Sequence, residues 1–283
     1  MTLDFYRRPA TMSAPGGQAR LFEGLPRDAG ALARIVQGLL IHEHIAPAYG
    51  VTLSAAQHDQ AHTRSVEDLL KSIEAHDPRP LPAARPAGER QVGVCRHFTL
   101  MHVAMLRDQG VPARARCGFG AYFQKDKFLD HWVTEYWNEG RRQWVLADSQ
   151  LDARQRELFK IGFDPLDVPR DQFLVAGDAW RLCRAGKADP DAFCILHLKG
   201  LWLIAGNLVR DIAALNNHEM LPWDCWAPMP RPEGEIDLAL FDRLAPLSHD
   251  PDGQADVLRA TYHNELAVPA TVMNAVRDRP EAV

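Results

Sequence analysis

Cys95 stands two residues after Gly93 in the stretch QVGVCRHFTL, residues 91–100, where an apolar helical pattern begins. Cysteine is among the most buried residue types, so inert packing is its default role. Two residues further along offer a chemical alternative. His131 opens the strand-like segment DHWVTEYW, and Asp148 closes the segment QWVLAD. A thiol with an ordinary pKa of about 8.5 is mostly protonated at neutral pH; positive charge nearby makes it a nucleophile. The N-terminus of a helix supplies partial positive charge and backbone N–H groups with no intrahelical partner. An imidazole oriented by a carboxylate supplies a base held in one tautomer. Cys95, His131 and Asp148 are therefore candidates for nucleophile, base and orienter. The N–H groups around Cys95 provide part of an oxyanion hole, and Gly93 lets the backbone turn tightly beside it.

The elements that must position these groups can be read from periodicity. Cys95, Phe98, Met101, His102, Met105 and Leu106 share one helical face, while Leu100, Val103 and Ala104 cover much of the rest. A helix apolar nearly all round is a buried, central one. Gly110 is a good C-cap for it, and Pro112 follows. Three strand-like segments come next: ARARCGFGAYF, DHWVTEYW and QWVLAD, the last two joined by NEGR as a hairpin turn. A turn centred between Glu139 and Gly140 sets His131 directly opposite Asp148 on one side of the sheet. A buried helix followed by an antiparallel meander is an α+β pattern.

Around this core, Asp28 N-caps a helix with Leu32, Ile35, Val36, Leu39 and Leu40 on one stripe. A second amphipathic helix is expected over about 54–75, with Val66, Leu69, Leu70 and Ile73 aligned. Residues 77–90 carry four prolines and form a connector that is neither helix nor central strand. Downstream, a short helix near AWRLCR precedes a long one over about 191–215, and shorter helices are expected near 236–245 and 254–262. The reading is one domain over residues 1–283, with a core at 54–165 and a mainly helical C-terminal elaboration at 166–283.

Composition bounds the partners. The chain has 283 residues, 46% hydrophobic and 24% charged, an ordinary globular balance. A formal charge of -5 argues against a nucleic-acid binder. No apolar run reaches the roughly 20 residues that a membrane span needs, and the start MTLDFYRRPA has no signal-peptide pattern. Five cysteines without a CxxC argue against a disulfide framework or structural zinc, so a reducing cytoplasm is expected.

GVCRHFTLMHVAMLRDQGVPARARCGFG, DHWVTEYW and QWVLADSQLD together resemble the core of the transglutaminase-like superfamily, a papain-like fold. The pattern is a Gly-x-Cys helix, a GxPAR strand entry, a His-Trp strand and a Trp…Asp strand, in that order over roughly 91–152. The resemblance implies a papain-like core with added N- and C-terminal helices. It also implies acyl transfer from an amide or thioester through a Cys95–His131–Asp148 triad and a thioester intermediate. Hydrolysis by a protease or amidase leads. Amide formation with an amine acceptor stands close behind, and a binding protein that retains the triad is a third reading. No cofactor or metal is implied. Ser149-Gln150 replaces a common Pro-Thr, and the calcium-loop and β-sandwich regions of animal transglutaminases have no counterpart.

Gln91, Trp132 and Gln150 are candidate oxyanion or substrate contacts, Trp132 as a wall beside His131. His102 is expected to be a hydrogen-bonded core histidine. Arg114 and Arg116 share a strand face that is expected to be solvated, with grip on an acidic substrate as the alternative. HDQAH at 58–62 has zinc-helix spacing but lacks the glutamate and a third ligand. HEMLPWDCW at 218–226 is either a cover for the cleft or a packed connector.

Overall fold

The computed structural model describes residues 3–232 and 234–283, which divide into two compact units. Leu3–Ala115 and Val133–Val168 form the first; Arg116–Trp132 and Pro169–Val283 form the second. The chain is α+β in both.

In the first unit, α1 (Leu3–Arg7), α2 (Ala29–Leu39), β1 (Leu40–His42), α3 (Ala55–Asp59), α4 (Val66–His76) and β2 (Gln91–Gly93) precede α5 (Cys95–Asp108). The Asp28 side chain caps α2 by accepting from Ala31 N at 2.7 Å. Every residue of α5 from Cys95 to Arg107 is buried, against α1, α2 and α4. Its polar side chains therefore need internal partners. His102 Nδ1 meets Thr134 Oγ1 at 3.2 Å and Nε2 meets Ala29 O at 3.0 Å. Burial pushes its pKa down to about 4, so the ring is neutral, as a core histidine should be. Arg107 donates to Ala113 O and Ser13 Oγ. Gly110, at φ +77°, ends the helix in the left-handed conformation that glycine tolerates.

The single helix expected over 54–75 is two. Ser54 caps α3, and Ser65 accepts from Asp68 N to cap α4, so a second N-terminus begins where one stripe would have continued. The proline-rich connector holds one short turn at Ala87–Glu89. Its carbonyls are gathered by the buried Arg85 guanidinium, which donates to the oxygens of Asp77, Arg79, Pro80, Leu81 and Ala83. Prolines remove donors from such a segment; one arginine supplies them.

Strands β3 (Ala113–Gly120) and β4 (Phe128–Asn138) each run from one unit into the other, and β5 (Gln143–Ala147) and α6 (Ala153–Leu158) complete the first. The second unit adds β6 (Phe173–Val175), α7 (Ala176–Arg184), β7 (Phe193–Ile195), β8 (Leu198–Lys199), α8 (Leu201–Leu215), β9 (Asp224–Cys225), α9 (Leu238–His249), α10 (Ala255–Thr261), β10 (Thr271–Asn274) and β11 (Arg279–Ala282). The main sheet has the order β6-β3-β4-β7-β8, with β5 also on β4. Helices α7, α8 and α9 pack on one another, closely enough that a Cβ on Gly177 would meet the carbonyl oxygen of Ala245. The long helix expected from 191 starts at Leu201, because residues 193–199 form a hairpin that turns through Leu196 at φ +51°. A small antiparallel sheet, β11-β10-β9, joins the helices expected at the C-terminal end. Among the described residues no helix is long and apolar enough to cross a membrane.

Arg114 and Arg116 are buried, not solvated. In the first unit Arg114 Nε donates to Glu135 Oε2 at 2.7 Å, with its guanidinium 4.0 Å from the Trp144 ring centroid and 5.0 Å from that of Tyr6. In the second, Arg116 Nη2 donates to Asp211 Oδ2 at 2.9 Å and to Ser248 O at 2.6 Å. Asp211 also accepts from Cys117 N and Ser248 Oγ. Replacing one member leaves the other charge buried and unanswered, which costs about 3–5 kcal/mol. Asp211→Ala is therefore expected to lower the unfolding free energy by that amount in urea titration, and a loss under about 1 kcal/mol contradicts the burial of this pair.

Candidate active site

Cys95 is the first residue of α5 and is 7% exposed, in the first unit. The backbone entering it is fastened on both sides. Gly93 O accepts from Glu43 N at 2.8 Å, and β2 pairs in parallel with β1, His42 level with Gly93. The next N–H, that of Val94, donates to His97 Nδ1 at 3.1 Å, while His97 Nε2 meets Thr63 O at 2.9 Å. An acceptor Nδ1 puts the proton on Nε2, so His97 is neutral with a fixed tautomer. Burial, with the Arg96 charge next in weight, pushes its pKa down to about 3. Helix geometry leaves the Cys95 N–H without an intrahelical acceptor, available to a ligand.

Gly93 does its work differently from the tight turn read in the sequence. Its φ is not in the left-handed region. A Cβ there would lie 2.8 Å from His97 Cβ and 2.9 Å from Cγ, so glycine is needed for the close approach of the histidine that caps the helix.

Asp148, in the same unit, follows β5 directly and is 1% exposed. Its N–H donates to Pro165 O, and its Oδ1 accepts from Gln150 N at 3.0 Å. The hairpin register differs from the expected one. Thr134 stands opposite Ala147 and Asn138 opposite Gln143, so the turn centres between Gly140 and Arg141. One further step in that register sets Val133 level with Asp148. The expected pairing of His131 directly with Asp148 is therefore not the register of this hairpin. The cause is the four-residue loop Glu139–Arg142, in which Asn138 Oδ1 accepts from Arg141 N and Arg142 takes φ +50°.

His131 belongs to the second unit and is 2% exposed. Its ring packs edge-on against Phe123 at 4.7 Å, Tyr122 at 5.9 Å and Phe173 at 6.4 Å between centroids. These three aromatic rings flank the His131 imidazole. Trp132 itself is fully buried, and among the described residues its Nε1 has no hydrogen-bond partner. The strand expected over ARARCGFGAYF ends at Gly120, so Tyr122 and Phe123 lie in the loop that follows it. Asp130, beside His131, is a buried carboxyl whose pKa is raised by desolvation, against the opposing charge of Arg210.

The other candidates have partners of their own. Gln91 Oε1 accepts from Ser72 Oγ at 2.7 Å, and the residue lines a cavity of about 150 Å³ with Leu39, Ile73 and Arg85, a lining that does not include Cys95. Gln150 is 2% exposed and faces inward to Gln155, with Nε2 to Oε1 at 2.9 Å. In HDQAH, α3 ends at Asp59 and His58 pairs with Glu43 at 2.6 Å, so the spacing of a continuous helix is lost. Among the described residues no group of three or more His, Cys, Asp or Glu side chains is arranged to hold a metal. In HEMLPWDCW, Arg210 of α8 donates to Asp224 O at 3.1 Å, and Trp226 Nε1 donates to Leu266 O at 3.0 Å, the bonding of a packed connector.

Two outcomes follow from the cap. Gly93→Ala is expected to displace His97 and cost about 1–3 kcal/mol in urea unfolding. Its Cys95 alkylation rate is expected to fall with stability; an unchanged variant contradicts the close approach. His97 and His102 both have folded pKa values below the unfolded value near 6.5. As pH falls below 6.5 the unfolded chain takes up protons that the folded one refuses, so stability declines, by roughly 2 kcal/mol per histidine at pH 5. Urea midpoints at pH 7 and pH 5 measure it, and His102→Gln is expected to remove its share of the decline.

Residues 54–149 match the family model of the transglutaminase-like superfamily. No curated relative matches the chain. Among solved structures, a candidate cysteine protease from Cytophaga hutchinsonii is similar at a TM-score of 0.37 and 16% identity, over 61% of this chain and 45% of that one. Red sea bream transglutaminase is similar at a TM-score of 0.30 and 17% identity, over 44% of this chain and 22% of that one. The chain thus spans less than half the length of either. Cys95, His131 and Asp148 all fall inside the matched segment.

Proposed function

We propose that the protein is a cysteine-nucleophile acyl-transfer enzyme in which Cys95 attacks the carbonyl carbon of an amide or thioester. The observation that carries the reading is the placement of Cys95. It is the first residue of a helix buried along its length, behind a strand and a cap that fix its backbone, inside the segment that matches the superfamily model. The new C–S bond forms as the C–N or C–S bond of the substrate breaks, and His131 passes a proton to the departing amine or thiol. Backbone N–H groups at the start of α5 receive the oxyanion. Water or an amine then attacks the thioester, His131 takes its proton, and the Cys95 thiolate departs. Asp148 holds the imidazole in the useful orientation.

Hydrolysis of a peptide or other amide is the leading reaction, because water needs no second binding site. Transfer to a primary amine is the second reading, supported by the family match rather than by a visible amine pocket. A free-thiol nucleophile suits a reducing compartment such as the cytoplasm.

The test is selective alkylation. All five cysteines are free, and Cys183, Cys194 and Cys225 are more exposed than Cys95. Burial pushes the Cys183 thiol up to about 11. If exposure alone governed the rate, iodoacetamide would reach Cys194 or Cys225 first. The expected result is that Cys95 reacts fastest near neutral pH and that His131→Ala slows it tenfold or more, about 1.4 kcal/mol. If Cys95 reacts no faster than Cys194, the enzyme reading fails. Mass spectrometry of products formed with and without a primary amine separates transfer from hydrolysis, and Cys95→Ser abolishes both.

A further inference from the structure

A directed chain of hydrogen bonds leaves Asp148 and ends on a second carboxylate. Gln150 N donates to Asp148 Oδ1 at 3.0 Å. The side chain of the same residue donates from Nε2 to Gln155 Oε1 at 2.9 Å. Gln155 Nε2 donates to Tyr49 Oη at 3.1 Å, and Tyr49 Oη donates to Asp152 Oδ1 at 2.8 Å. Asp152 is also the N-cap of α6 and accepts from Gln155 N at 2.9 Å. All these residues belong to the first unit. Gln150 and Gln155 are each 2% exposed, so neither amide has water as an easy substitute.

The chain has one polarity. Asp152 accepts only, so Tyr49 must donate to it and receive from Gln155. Gln155 then presents its oxygen to Gln150, which fixes the Gln150 amide. Burial holds the Tyr49 hydroxyl well above the usual phenol range, so it stays a donor across the working pH. The charged groups bordering the far end are Asp152 and Arg90, whose guanidinium lies 5.8 Å from the Tyr49 ring centroid. Tyr49 closes the short helical turn Ala46–Tyr49 after β1, and Arg154 Nε ties the preceding carbonyl, Ala48 O, to α6 at 3.0 Å.

We infer that Gln155 and Tyr49 are positioning residues for Asp148, acting through Gln150, so that the segment Asp148–Ser149–Gln150 is held by side chains from outside the sheet. The inference rests on the reading of Asp148 as the orienter of His131. Two carboxyl-bound ends and fixed amide orientations leave the Asp148 loop one arrangement, and such networks are worth more than their separate bonds. Loss of a middle link lets the carboxylate turn away from the imidazole. Less imidazolium is then available to hold the Cys95 thiolate, so alkylation needs a higher pH.

The experiment follows the rate of Cys95 alkylation by iodoacetamide from pH 5 to 9 in the full-length protein. Asp148→Asn is expected to move the acid limb of the profile upward. Gln155→Met should move it the same way by about half a pH unit, roughly a threefold slower rate below the limb. Tyr49→Phe should move it less. The combination of Asp148→Asn with Gln155→Met should match Asp148→Asn alone, as expected of residues acting through one group. If Gln155 serves only to dock α6, Gln155→Met lowers stability and leaves the profile on that of the wild type. That outcome, or an additive double variant, overturns the inference while the site reading stands. If Asp148→Asn itself leaves the profile unmoved, the orienter assignment fails and the inference with it. Tyr49→Phe, which deletes one hydroxyl and keeps the ring, carries the same test if Gln155→Met does not fold.

Discussion

Burying α5 along its length is the constraint from which the first unit follows. A helix in that position cannot leave its polar side chains or its first N–H groups to water. His97 answers the Val94 N–H and reaches on to Thr63 O; His102 bridges Thr134 and Ala29; Arg107 caps Ala113 O. Two of these groups are imidazoles kept neutral, since a charged ring would have to be desolvated without a counter-ion. The result is a helix whose start is held through His97 to the turn after α3, and whose middle is held through His102 to β4 and α2. Cys95 stands on that start.

Strand β3 applies the same logic to charge. Arg114 and Arg116 point from alternate residues and each meets a buried carboxylate, Glu135 in one unit and Asp211 in the other. A slip of one residue would take both guanidiniums from their partners, so the pairs specify the register of the strand more than they stabilise it. Asp211 answers an arginine, a backbone N–H and a serine hydroxyl at once. That satisfied network lets α8, buried and mostly apolar, carry a charge in its interior.

The local signals were legible where their physics is local. Asp28 as an N-cap, Gly110 as a C-cap and the apolar circumference of α5 each depend on a few neighbouring residues, and each stands as read. Other expectations were displaced, some by local detail and some by distant partners. Ser65 starts a new helix inside a continuous apolar stripe, and Arg142 moves the hairpin centre by one residue through a left-handed conformation that nothing in NEGR announced. Arginines are mostly exposed, so Arg114 and Arg116 read as solvated. Their burial is decided by Glu135, 21 residues away, and Asp211, 95 residues away. Tyr122 and Phe123 read as the end of a strand, but the strand stops at Gly120 and both pack on His131 from the loop beyond it.

By itself the sequence determined the α+β class and the central helix that begins at Cys95, since each rests on side-chain chemistry and short-range periodicity. The tertiary structure decided the rest. It set Asp148 one ladder step from Thr134 and Ala147, gave Gly93 its purpose through the nearness of His97, turned Gln91 toward Ser72, and tied Gln150 to Asp148. Hydrogen-bond partners are chosen by which groups burial leaves unanswered, and that choice exists only once distant segments have packed.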